Sequence, residues 1–238
     1  MIDILVSIAV IALLIGIMLP TMAQVREMSR RVICASNVRQ MGFGLLMYAD
    51  DNKDYLAPTL HVRSKLSQDQ SSLSARGDTM TIRVDMQTDG LWGDSWDGLG
   101  RLYLGEYLLA PRIFYCPSHK GEHPFRNYED EWARGTGEIV SNYQYRGEAP
   151  GKQTRLTRII PPKVALLTDG MRTIEDFNHA PGMNVLFADL SVEYLWDNDG
   201  AVTSLLPHMA KMGSPGGGSS GSSGHIADAW NGIDKLVN

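Results

Sequence analysis

Histidine and glutamate residues with metal-ligand spacing occur in one short stretch of the sequence. His119, Glu122 and His123 form the string His-x-x-Glu-His, which on a helix can bind zinc and supply a catalytic base. Two prolines and a glycine, at positions 117, 124 and 121, interrupt this stretch and make a continuous helix unfavourable. The ligand geometry that zinc requires is therefore not expected here. An anchored or exported metal-dependent enzyme is kept as an alternative function.

A second pattern is similar to the start of a calcium-binding loop. Asp50, Asn52 and Asp54 alternate as in such a loop, but the sixth position is Tyr55 and the twelfth is His61. A calcium loop needs glycine at the sixth position and glutamate at the twelfth. We therefore interpret the segment as the solvated end of a helix.

His179 and Asp189 could form an acid–base pair, since a histidine beside a carboxylate is a common general base. The sequence contains no Gly-x-Ser-x-Gly nucleophile motif and no phosphate-binding loop. A structural role for both residues around a hairpin is therefore favoured. No catalytic residue, metal ligand or cofactor is predicted.

The sequence contains two cysteines, Cys34 and Cys116. A disulfide between them would close a long loop and contribute roughly 4–5 kcal/mol in the chain-entropy model. An extracytoplasmic domain permits such a bridge, whereas two buried free thiols are also common in proteins. We predict the bridge.

The elements that position these residues begin with an uncharged segment from Ile4 to Val25. About 22 residues of helix span about 33 Å, which matches the hydrocarbon core of a bilayer. Asp3 precedes this segment where a signal peptide would carry basic residues, so a membrane anchor is favoured over a cleaved signal peptide. An acid at the edge of an apolar helix is costly in lipid, which makes Asp3 a candidate functional residue.

The segment over residues 26–52 predicts an amphipathic continuation of the same helix. Residues 1–25 would be its membrane-embedded half, and two helices joined near Pro20 are the alternative. The residues that recur on one face, at spacings of four, three, four and three, are Cys34, Val38, Met41, Leu45 and Tyr48.

Residues 53–212 predict a small α+β domain. Apolar runs bounded by turn signals indicate short strands that would pair as an antiparallel meander. The turn Ala188–Ser191 would join the last two strands. The predicted strands are Thr81–Val84, Ser141–Tyr145, Lys163–Thr168, Asn184–Phe187 and Val192–Leu195.

The C-terminal part of the sequence predicts a flexible linker and a second amphipathic helix. Residues 213–224 consist of Gly, Ser and Pro alone, as is typical of a flexible linker. Residues 225–238 carry an apolar face at helical spacing, which we expect to pack on the domain itself. The residues of this face are Ile226, Trp230, Ile233 and Val237.

Composition limits the classes of protein that this chain can be. The 238 residues are 43% hydrophobic and 21% charged, which excludes a disordered chain and a multi-span membrane protein. The net charge of −5 argues against a nucleic-acid-binding protein, because neutralising phosphates needs a basic face.

The N-terminal segment resembles that of type IV pilin-like proteins and type II secretion pseudopilins. The residues that carry the resemblance are the apolar run 2–14 with its acid, Leu19-Pro20, Arg26-Glu27, and the stretch 34–42 that starts at Cys34. His179, nine residues and Asp189 are similar to the His-x9-Asp-Gly motif of one branch, although Leu190 stands in place of its glycine.

The resemblance implies a pilin-like fold, a long N-terminal helix packed on a small antiparallel β-sheet, and a structural role without enzymatic activity. It implies a single-pass inner-membrane protein with a periplasmic C-terminal domain, assembled into a periplasmic or extracellular filament. Asp3 would pair with the N-terminal amine of a neighbouring subunit, Pro20 would also serve filament assembly, and a basic leader would precede Met1. The implied partners are sibling subunits, a prepilin peptidase, an assembly platform and membrane lipid. A monomeric anchored binding module is the remaining alternative.

Overall fold

A single helix forms the first quarter of the chain in the computed structural model, which describes residues 2–59, 80–84, 96–206 and 222–237. Helix α1 runs over Ile2–Asp51 without interruption at position 20, so the prediction of one long helix is confirmed. The helix ends where expected, because Lys53 and Asp54 adopt left-handed backbone conformations with φ of 57° and 71°. The predicted linker up to residue 221 and most of the loop over residues 59–90 lie outside the described residues.

An antiparallel sheet of four strands packs against α1. Its strands follow one another in the order β3 (Tyr143–Tyr145), β4 (Ala165–Asp169), β5 (Gly182–Phe187) and β6 (Val192–Trp196). Strands β1 (Thr81–Arg83) and β2 (Ile139–Val140) form a separate antiparallel pair. Each predicted strand is therefore present, with boundaries shifted by one or two residues, and the α+β architecture is confirmed.

The contact between α1 and the sheet forms the main core. Cys34, Val38, Met41 and Leu45 are fully buried, as the apolar face predicted. Burying aliphatic side chains of this size stabilises a fold by about 1.5–3 kcal/mol each. Gly42 allows the helix to approach β5 closely, because an added Cβ would lie 2.7 Å from Cδ1 of Leu186. A larger residue at position 42 would therefore force the Leu186 side chain to move.

Two short helices and several 3-10 turns complete the domain. Helix α2 (Gly100–Leu104) packs on α1 and β1, and helix α3 (Glu129–Arg134) buries Trp132 in the same core. The 3-10 turns lie at Pro111–Phe114, Phe125–Asn127, Pro150–Lys152, Leu156–Arg158, Ile174–Asp176 and Thr203–Leu205.

The C-terminal helix, α4 (Ser222–Val237), packs on the domain as expected. Ile226, Trp230 and Ile233 are buried in a second core that includes residues of β4 and β5. Asp234 anchors the helix through its carboxylate, which lies 2.8 Å from the Arg146 guanidinium. The helix begins at Ser222, so the last three residues assigned to the linker are helical.

Candidate functional site

The first half of α1 exposes an apolar surface on all sides. Leu5, Leu13 and Leu19 are each about two-thirds exposed, at 66%, 65% and 67%. By length and composition this helix could cross a membrane. Asp3 lies exposed in the first turn, and its carbonyl accepts a hydrogen bond of 2.8 Å from the Ser7 hydroxyl. Asp3 and Pro20, the two residues expected to serve assembly, both lie on this segment.

Polar contacts with the domain begin at Glu27, just beyond the apolar segment. The Glu27 Oε1 atom lies 2.8 Å from Nδ1 of His179, and the Ser118 hydroxyl donates to Oε2 at 2.9 Å. Burial raises the pKa of Glu27, but the hydrogen bonds from His179 and Ser118 outweigh it and lower the pKa overall. The carboxylate form of Glu27 is therefore favoured at the point where α1 joins the sheet.

Four side chains with metal-ligand chemistry converge behind Glu27. Cys34, Cys116, Asp169 and His179, called the buried cluster below, each place one donor atom within 4.8 Å of the other three. The exposed fraction of each is at most 5%. Cys34 Sγ lies 3.1 Å from Asp169 Oδ1, and Cys116 Sγ lies 3.3 Å from His179 Nε2.

Different elements supply the members of the buried cluster. Cys34 comes from the sheet-facing side of α1, and Asp169 is the last residue of β4. Cys116 follows the 3-10 turn Pro111–Phe114, and His179 lies just before β5, where it forms a bridge to Gly182. Packing α1 on the sheet is thus what assembles the cluster.

Neighbouring groups fix the orientation of the cluster. Asp169 Oδ2 accepts a hydrogen bond of 2.7 Å from the backbone N–H of Asn184, which leaves Oδ1 directed at Cys34. The Ser118 amide donates to Cys116 Sγ at 3.4 Å. The Tyr143 hydroxyl lies 3.1 Å from Cys34 Sγ. Every donor atom is therefore held by its surroundings before any ligand binds.

Burial and mutual contacts shift the pKa values in the cluster. Burial raises the pKa of Asp169 and raises that of Cys34 well above its ordinary value. Burial also opposes charge on Cys116, but hydrogen bonds from Cys34 and His179 lower its pKa overall. His179 has a pKa of about 9, because the Cys116 and Glu27 contacts and the Asp169 charge outweigh its burial.

The two cysteines are neighbours in the structure, but both are free thiols. The predicted disulfide is therefore not formed in this structure, although the two sulfur atoms lie within 4.8 Å of each other. The bridge itself stays a prediction. It competes with any other use of the two sulfur atoms.

The His-x-x-Glu-His string does not form a site of its own. No helix covers residues 117–124, as the prolines and glycine predicted. His119 Nδ1 pairs with Asn178 Oδ1 at 2.8 Å, and His123 Nδ1 pairs with the Tyr128 hydroxyl. Glu122 lies 3.7 Å from the Arg172 guanidinium.

His179 and Asp189 lie at opposite ends of β5 and cannot act as a pair. The six residues of that strand alone span about 20 Å. Asp189 instead caps the turn after β5, accepting hydrogen bonds from the amide of Ser191 at 2.9 Å and from its hydroxyl. Their expected structural role agrees with these contacts, but His179 also belongs to the buried cluster.

Sequence reasoning missed Asp169 and Glu27 as members of this region. Asp169 looked like the residue that ends a strand, and Glu27 like part of a polar stretch of helix. Their partners lie far away in the sequence, so no local spacing could reveal them.

Neither protein-family models, curated proteins nor solved structures yield a match to this chain. The site is therefore described by its own geometry.

Proposed function

We propose that this chain is a pilin-like structural subunit, anchored in the inner membrane by the first half of α1 and assembled into a filament through that helix. The observation that carries the proposal is the continuous 50-residue helix, whose apolar first half is exposed on all sides while its second half buries one face on the domain. An exposed apolar surface of this size needs lipid or other protein around it.

The junction at Glu27 supports this use of the helix. On the C-terminal side of Glu27, the buried face from Cys34 to Leu45 packs on the sheet, and the Glu27 contacts also hold α1 there. On the N-terminal side of Glu27, the helix projects as a single element. This apolar half can enter a bilayer or pack beside the same segment of another subunit. The domain would then lie on the periplasmic side and on the outside of the filament.

Asp3 supports assembly over simple anchoring. A carboxylate at the start of an apolar helix costs free energy in lipid, and a cation supplied by a neighbour would offset that cost. In a filament, the N-terminal amine of an adjacent subunit is such a cation. A prepilin peptidase and an assembly platform would be the remaining partners.

Photo-crosslinking in the membrane tests this proposal. A photoreactive amino acid is placed at Leu13 in the full-length chain, produced in cells that carry its assembly machinery. Leu109, which is 69% exposed on the domain, is the matched control position. We expect a ladder of crosslinked subunits from Leu13 and little from Leu109. Crosslinks to lipid alone from Leu13 would contradict assembly and leave a monomeric anchored binding module.

A further inference from the structure

We propose that the buried cluster of Cys34, Cys116, Asp169 and His179 binds one divalent transition-metal ion, with zinc as the best-suited metal. Two sulfur atoms, an imidazole nitrogen and a carboxylate oxygen make a four-donor set that zinc accepts in structural sites. The ligands come from α1, from the loop at Cys116 and from both sides of the β4–β5 connection, so the ion would tie the helix to the sheet.

Two of the distances between donor atoms are close to those around a tetrahedral ion. Zinc–sulfur bonds of about 2.3 Å and zinc–nitrogen or zinc–oxygen bonds of about 2.0 Å place tetrahedral ligands about 3.3–3.8 Å apart. The Cys34–Asp169 and Cys116–His179 contacts are 3.1 Å and 3.3 Å, and no pair of donor atoms exceeds 4.8 Å. Binding would need shifts of a few tenths of an ångström at these two contacts.

Contacts around the cluster are those that metal sites use to orient their ligands. A metal-binding histidine commonly donates a hydrogen bond from the N–H of its second ring nitrogen to a carboxylate. Glu27 occupies that position on His179 Nδ1, which leaves Nε2 directed into the cluster. The backbone N–H of Asn184 holds Asp169 Oδ2, and the Ser118 amide donates to Cys116 Sγ.

Charge balance favours a bound cation. Three of the four members ionise to anions, and all are buried, so charging them without compensation is costly. Without a metal ion, protons on the two thiols and the contacts of His179 limit the negative charge of these groups. A divalent ion would replace those protons and offset two of the three negative charges carried by two thiolates and a carboxylate.

Two grooves border the cluster and provide routes for an ion. One, of about 440 Å³, is lined in part by Cys116, Asn37 and Asn142. The other, of about 590 Å³, is lined in part by Glu27, Ser118 and His179. Cys116 and His179 therefore each contribute to the wall of a groove, although the cluster is buried.

Zinc analysis of the full-length chain tests the proposal. The chain is purified in detergent under reducing conditions with a tag that contains no histidine, and zinc is measured by mass spectrometry. We expect one zinc per chain in the wild type. Cobalt should give a thiolate-to-cobalt charge-transfer band and the visible bands of a tetrahedral site. Cys34→Ser and His179→Gln should abolish both signals.

Two further variants locate the metal. His123→Gln alters the His-x-x-Glu-His string but leaves the cluster intact, so it should retain zinc. Glu27→Gln should lower the zinc affinity by about 10–100-fold, the usual cost of removing a carboxylate behind a ligating histidine. Because these two variants and the wild type keep all four ligands, the test does not depend on whether Cys34→Ser folds.

The results that would overturn the proposal are equally direct. Reduced wild-type chain that takes up neither zinc nor cobalt would leave the cluster as a hydrogen-bonded network. Zinc that is lost from His123→Gln and kept in Cys34→Ser would place the metal elsewhere. Chain isolated from its native compartment without zinc, and with both cysteines blocked to thiol labelling after denaturation, would show that the disulfide is the natural state.

Discussion

The turn between β5 and β6 carries a residue of unfavourable conformation. Leu190 adopts φ of +65°, in the left-handed region, at the position where the His-x9-Asp-Gly motif has glycine. A side chain in this region costs about 1–2 kcal/mol relative to glycine. Glycine offsets about 0.4–1 kcal/mol of this gain, because it has more conformational entropy to lose from the unfolded chain. Leu190→Gly should therefore have a free energy of unfolding about 0.5–1 kcal/mol higher than that of Leu190→Ala, since both variants lose the partly buried leucine side chain.

The control for this change is Leu190→Ala, which removes the same side chain beyond Cβ but keeps the backbone cost. Thermal unfolding of the full-length chain in detergent, followed by far-ultraviolet circular dichroism, compares the two variants. A gain of this size corresponds to about 1–4 °C in the melting temperature for a chain of this length. A glycine variant that melts no higher than the alanine variant would refute the argument from backbone conformation.

Three other changes test separate parts of the structure. Trp230→Ala should lower the free energy of unfolding by about 3 kcal/mol, because a side chain that is only 5% exposed is lost from the second core. Asn231→Ala, on the exposed face of the same helix, should leave the free energy of unfolding unchanged. Chemical denaturation measures both variants. Burial and the Arg172 charge lower the pKa of His123 to about 4, so its neutral form is favoured by folding. Stability should therefore fall as the pH drops from about 6.5 towards 4, and His123→Gln should lessen that fall in pH-dependent melting. Asp3→Ala should leave the chain in the membrane fraction but reduce the Leu13 crosslinked ladder, whereas Asp50→Ala, an exposed acid near the other end of α1, should not.

Much of the fold could be predicted because its signals are local. The stripe from Cys34 to Leu45 repeats at helical spacing, and each of its four apolar residues is fully buried. Strands β3 to β6 are short apolar runs bounded by turn residues, so their positions could be predicted within one or two residues. Their boundaries depend on pairing partners, which a single sequence does not reveal.

The start of α4 illustrates where composition misleads. Ser222 and Gly224 look like the end of a flexible linker, yet serine is a favoured residue at a helix N-terminus. The helix that packs Trp230 on the domain begins already at Ser222. Local composition could not show that effect.

The buried cluster lay beyond sequence reasoning for a different reason. The two cysteines stood out as a pair, and both were expected in the core. Asp169 and His179 each had an adequate local explanation, one as a strand end and the other as part of a motif. Only the packing of α1 on the sheet shows that all four share one site.

Electron microscopy of fibres sheared from producing cells tests the central claim most directly. The full-length chain is produced with its assembly machinery, and fibres are labelled with an antibody against residues 96–206. We expect labelled filaments with the domain on their surface and the first half of α1 in their centre. Labelled membrane without labelled filaments, under conditions in which the machinery assembles another subunit, would contradict it.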